Sequence, residues 1–131
     1  MCDVLDNESV VLDLLVEILA DDGLFVLGAE TVSAASSALR EHGTRLLVAD
    51  KVLSAGEDGH VFAQEARRRW PELRVIYTSG HPGALRGLHL APGERALAKP
   101  FRASELIEVA RELLRCAALP RPVQGSLTMP P

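Results

Sequence analysis

Residues 46–49 read Leu-Leu-Val-Ala, an unbroken apolar run closed by Asp50. A run without polar alternation is what a strand covered on both faces shows. Such a strand needs helices on either side, and the arrangement that supplies them is a parallel sheet built from strand–helix–strand units.

The rest of the chain repeats that rhythm. Cys2 to Leu5 is a short strand ending in Asp6-Asn7-Glu8-Ser9, a helix-start cluster. Val11, Leu14, Leu15, Ile18 and Leu19 recur at helical spacing, with Gly23 as the stop. Leu24 to Ala29 is a second strand, and Ser33 caps a helix through Arg40 that Gly43 ends. Arg45 to Asp50 is the third strand, Lys51 to Gly59 a loop, and Phe62, Ala66 and Trp70 mark a helix before Pro71. Leu73 to Thr78 is the fourth strand. Two prolines and three glycines between His81 and Glu94 predict a short or distorted helix there. Ala96 to Ala98 is the fifth strand, and Ser104 to Ala118 a last helix with Leu106, Val109, Ala110, Leu113 and Leu114 on one face. The expectation is one α/β domain over residues 1–118, with a Pro-rich disordered tail over residues 119–131.

Composition narrows the function classes. Over 131 residues, 47% hydrophobic and 24% charged suit one globular domain and argue against a disordered chain. No apolar run nears the ~20 residues of a membrane span, so a cytoplasmic location is the default. A net charge of −4 does not draw the chain towards nucleic acid. Cys2 and Cys116 lack metal-ligand spacing and read as reduced thiols. Of 14 basic residues only Lys51 and Lys99 are lysines, which makes their positions worth finding.

Parallel α/β sheets bind ligands outside the carboxyl ends of their strands. The first strand brings Asp6-Asn7 to that edge, the third Asp50, the fourth Thr78-Ser79-Gly80 and the fifth Lys99-Pro100. Clustered carboxylates need a cation, and Mg²⁺ suits oxygen ligands with several waters retained. A carboxylate can also attack phosphorus to give an aspartyl phosphate. Positioning, metal charge and a cationic side chain are what phosphoryl transfer requires.

Four segments then resemble the receiver domain of response regulators, the CheY-like family of two-component signalling. They are Val4-Leu5-Asp6-Asn7-Glu8, Leu47-Val48-Ala49-Asp50 with Glu57-Asp58-Gly59, Val75-Ile76-Tyr77-Thr78-Ser79-Gly80, and Ala98-Lys99-Pro100-Phe101. The likeness runs from about Cys2 to Leu114. It implies a doubly wound (βα)5 fold with five parallel strands in the order 2-1-3-4-5. It also implies that Asp50 accepts a phosphoryl group from a sensor histidine kinase or phosphotransfer protein, with Lys99 and Thr78 contacting the phosphoryl oxygens. Asp6, Asn7, Asp50 and the Val52 backbone carbonyl would hold Mg²⁺, and water would later release the phosphate. The chain is then no conventional enzyme but one that phosphorylates itself and slowly reverts.

Some positions depart from the family pattern. Asn7 replaces a second acidic residue, which predicts weaker Mg²⁺ binding. Ala96 replaces an aromatic residue of the fifth strand, and Asp3 an apolar residue of the first. Asp3 is costly there if buried without a partner, so a frayed strand or missing upstream residues are both expected alternatives. Ser54 replaces a proline, which loosens its loop.

Other features read as ordinary. Lys51 points away from Asp50 and is solvated. Arg67-Arg68-Arg69 ends a helix, where cations favour the dipole, and reads as a solvated face. His42, His60, His81 and His89 have no ligand spacing. Hydrolase elbows, P-loops and G-x-G-x-x-G are absent, so a flavodoxin-like enzyme is a distant third reading. The leading reading is a phospho-acceptor module that signals by protein contact through residues 81–118, with no attached output domain. The alternative is a pseudo-receiver that docks a partner without phosphorylation, favoured by Asn7 and Ala96.

Overall fold

The computed structural model describes residues 1–53, 56–81 and 83–118. Ser54, the Cys116 side chain and the tail 119–131 lie outside the described residues. In chain order the elements are β1 (Cys2–Leu5), α1 (Ser9–Asp21), β2 (Val26–Ala29), α2 (Val32–Glu41), β3 (Leu46–Asp50), α3 (Gly59–Arg69), β4 (Arg74–Ser79), β5 (Glu94–Ala98) and α4 (Ala103–Ala118). The five strands form one parallel sheet in the order β2-β1-β3-β4-β5.

β3 is central, and all five of its residues are buried. Its side chains alternate between two cores. Val48, with Val4 and Ile76, packs against Leu15 and Leu19 of α1 and Leu106 and Ala110 of α4. Ala49, with Leu5 and Tyr77, packs against Leu39 of α2 and Phe62 and Ala66 of α3. Each fully buried leucine in these layers contributes about 1.5–3 kcal/mol.

Local signals set the helix ends. Gly23, at φ 94°, lets its own N–H reach Ala20 O while Leu24 N–H reaches Leu19 O, so both orphan carbonyls are satisfied. The cap of α2 is Thr31 rather than Ser33, because the Thr31 hydroxyl accepts from Ala34 N. Asp58 caps α3 by accepting from His60 N and Val61 N.

The fourth connection carries three successive turns between His81 and Leu88 and no helix among its described residues. Gly83, Gly87 and Gly93, all at positive φ, favour turns over a helix. The (βα)5 pattern is thus realised as five strands and four helices among the described residues. β5 also begins earlier than the alanine run suggests, at Glu94.

Asp3 is not frayed. It lies in register between Leu27 and Leu47, is 0% exposed, and neither carboxylate oxygen has a hydrogen-bond partner among the described residues. Burial pushes its carboxyl up to about 7. Among the described residues no helix is long and apolar enough to cross a membrane.

Candidate functional site

The chain turns outward at the carboxyl ends of β1, β3, β4 and β5, so Asp6, Asp50, Ser79 and Lys99 meet at one edge of the sheet. Asp6 follows β1 and is fully buried. Its Oδ1 accepts the Glu8 N–H at 2.9 Å, which shapes the turn into α1, while Oδ2 accepts from Lys99 Nζ at 2.7 Å. The turn-forming and site roles of Asp6 are therefore compatible, one oxygen serving each.

Asp50 ends β3 and is 5% exposed. Its Oδ2 lies 3.2 Å from Lys99 Nζ, and its Oδ1 accepts the Val52 N–H at 3.3 Å. Burial pushes the Asp50 carboxyl above its ordinary value; Lys99 opposes that and the Asp6 charge adds to it. Burial also works against the charge of Lys99, yet the hydrogen bond and charge of Asp6, then those of Asp50, outweigh it and hold the ammonium above its usual range. One ammonium thus bridges two carboxylates and leaves the cluster one negative charge in excess. Removing one partner of such a buried arrangement typically costs about 3–5 kcal/mol.

Asn7, half-buried, sits next to Asp6, and Val52 faces Asp58 across a short antiparallel bridge. Among the described residues no group of three or more His, Cys, Asp or Glu forms a ready-made metal site. Two carboxylates, a carboxamide and a backbone carbonyl are nevertheless all hard oxygen donors, a set that fits Mg²⁺ with part of its water shell kept.

The two hydroxyls of β4 differ. Thr78 is level with Asp50 in the β3–β4 ladder, but its Oγ1 is buried with no hydrogen-bond partner among the described residues. Ser79 lines, with Lys99, an open depression of about 360 Å³, and its Oγ accepts the His81 N–H at 3.1 Å.

Behind the site, β3 and α3 approach very closely. Gly59 N–H donates to Lys51 O, and any Cβ at residue 59 would collide with the Asp50 carbonyl. Lys51 is not simply solvated: its ammonium lies 2.6 Å from Asp58 Oδ2, with only 21% of the side chain exposed. Burial raises the Asp58 carboxyl, but the Lys51 hydrogen bond and the capped N–H groups more than offset this and hold it below its ordinary value.

A second polar cluster gave no sequence signal. Gln64 Nε2 donates to Tyr77 Oη (3.0 Å) and Glu94 Oε2 (2.7 Å), and Arg67 donates to the same Glu94 oxygen (3.0 Å). The solvated reading of the arginine run therefore holds for Arg68, whereas exposed Arg69 lies over the Trp70 ring at 5.0 Å and the Arg67 side chain is only 15% exposed. Tyr77 stands in register with Ala96.

No family model and no curated protein matches the chain, but solved structures do. The receiver domain of NtrX from Brucella abortus superposes with a TM-score of 0.76 at 31% identity, covering 88% of this chain and 98% of that one. NtrX from the same organism, solved in complex with ADP, gives a TM-score of 0.81 at 31% identity over 94% of this chain. The present chain spans 29% of that protein. A response regulator receiver protein from Sinorhizobium medicae WSM419 gives a TM-score of 0.80 at 25% identity, covering 88% and 94% of the two chains.

Proposed function

The chain belongs to the response-regulator receiver family, and from that premise we propose that Asp50 accepts a phosphoryl group from a phosphohistidine on a sensor kinase or phosphotransfer protein. The observation that carries this reading is the bridge of Lys99 Nζ to Asp6 at 2.7 Å and Asp50 at 3.2 Å. A docking module has no need to bury two carboxylates around one ammonium at a sheet edge.

Asp50 supplies the attacking carboxylate oxygen. Lys99, a compact ammonium on a flexible stem, follows the charge from the carboxylate to the phosphoryl oxygens, which a planar guanidinium would not do as readily. Ser79 rather than Thr78 is the hydroxyl assigned to a phosphoryl oxygen, since it shares the open depression with Lys99. Asp6, Asn7, Asp50 and the Val52 carbonyl would hold Mg²⁺, which when bound neutralises the charge that carboxylates and phosphoryl oxygens share. Water attack on the acyl phosphate resets the domain. The output is a protein contact through residues 81–118, in the cytoplasm.

Incubation with acetyl phosphate and Mg²⁺, followed by intact mass measurement, tests the reading. A gain of one phosphoryl group that Asp50→Asn abolishes is expected. No gain, or an equal gain in the variant, refutes it and leaves a phosphorylation-independent docking module.

A further inference from the structure

The depression beside Lys99 has a lining that phosphoryl acceptance by Asp50 does not itself require. Besides Ser79 and Lys99 its wall carries His81 and Arg86, and no carboxylate lines it among the described residues, although the chain as a whole bears a net charge of −4. Lys99 is engaged by Asp6 and Asp50. Arg86 is not: its guanidinium has no hydrogen bond or ion pair among the described residues. The turn in which Arg86 N–H donates to Gly83 O at 3.1 Å sets its backbone, and its side chain is exposed. Gly83 adopts φ 86° there, a conformation that side chains rarely allow. An exposed arginine with no protein partner among the described residues, on the wall that Lys99 also lines, is free to receive an oxyanion.

We propose that Arg86 forms a leaving-group subsite for anionic phosphoryl donors of the acyl-phosphate class. The inference rests on the reading of Asp50 as phospho-acceptor. Ser79 and Lys99 belong both to the acceptor site and to the depression, so a donor whose phosphoryl group they hold has room for its other half in the depression whose wall Arg86 lines. As the bond from Asp50 Oδ to phosphorus forms, the bond from phosphorus to the acyl oxygen breaks. The carboxylate departs with the electron pair, and its developing charge is what Arg86 meets.

The test compares two small donors on the full chain. Acetyl phosphate expels a carboxylate; phosphoramidate expels ammonia, which carries no negative charge. In Arg86→Ala the ratio of the acetyl phosphate rate to the phosphoramidate rate should fall roughly three- to fivefold, the scale of an exposed ion pair. Arg86→Lys should restore part of the ratio, and the difference should shrink as ionic strength rises. Arg68→Ala, which removes the same charge from the exposed side of α3, should leave the ratio as in the parent. An unchanged ratio in Arg86→Ala, or an equal fall in Arg68→Ala, overturns the subsite while leaving Asp50 as acceptor. Absence of labelling by either donor in the parent chain instead overturns the acceptor reading itself.

Discussion

A Cβ on Gly59 would stand 2.0 Å from the carbonyl oxygen of Asp50. The first residue of α3 thus presses against the backbone of the proposed phospho-acceptor, a contact only glycine permits. Gly59→Ala must therefore push the β3–α3 connection away from the site. A destabilisation of about 1–3 kcal/mol is expected for forced overpacking of this kind. Urea unfolding reads it, and phosphorylation of Asp50 should slow in parallel. An unshifted unfolding midpoint would mean that the connection yields freely.

The two β4 hydroxyls make opposite predictions. Thr78 Oγ1 is buried and unpartnered among the described residues, so Thr78→Val removes an unsatisfied group at nearly constant shape and should stabilise the fold by about 1 kcal/mol. Ser79 faces the depression with Lys99, so Ser79→Ala should slow phosphorylation more than Thr78→Val does. Rates with acetyl phosphate decide it, and the reverse ranking returns the role to Thr78.

What the sequence could show follows from how each signal is written. The sheet was readable because β3 and β4 are buried runs and their polar ends are adjacent in sequence to those runs. Asp6, Asp50 and Lys99 were readable for the same reason, although residues 6 and 99 are 93 positions apart. The Gln64–Tyr77–Glu94–Arg67 cluster was not. Its members sit on a helix, a strand and the end of a Gly/Pro-rich connection, and only the packed fold brings them together. Burial raises the Glu94 carboxyl, but the Ala91 N–H and Arg67 offset it and hold the group below its ordinary value. Thr31 caps α2 although serine, two residues on, is the slightly stronger capping type, because the Thr31 hydroxyl is the one that meets Ala34 N–H. Lys51 pairs for a related reason: alternation turns it away from Asp50, but not away from Asp58, whose carboxylate lies 2.6 Å from its ammonium.

Asn7 brings a neutral amide to a site whose two carboxylates share one lysine. An added negative charge next to Asp6 strengthens attraction for a divalent ion, so Asn7→Asp should bind Mg²⁺ roughly tenfold more tightly. Calorimetric titration of both proteins measures it directly. Equal affinities would show that residue 7 does not contact the ion.

Asp3 gives the fold an unusual pH dependence. Its carboxyl is raised by burial from an ordinary value of 3.8 to about 7, and among the described residues it has no hydrogen-bond partner that rewards the charge. Below pH 3.8 both the folded and the unfolded chain keep the proton. Between 3.8 and about 7 the unfolded chain releases it while the folded chain retains it, so this residue's contribution to stability falls as pH rises across that window and levels off above it. Asp3→Val removes the titration and fits the apolar surroundings of Leu27 and Leu47. The variant should be more stable than the parent, with a gain at pH 8 larger than that at pH 5 by roughly 2–3 kcal/mol. Urea unfolding at the two pH values measures the difference. A gain independent of pH would mean that Asp3 ionises in the folded chain as it does in water, which would require a partner or a water path to reach the middle of the sheet.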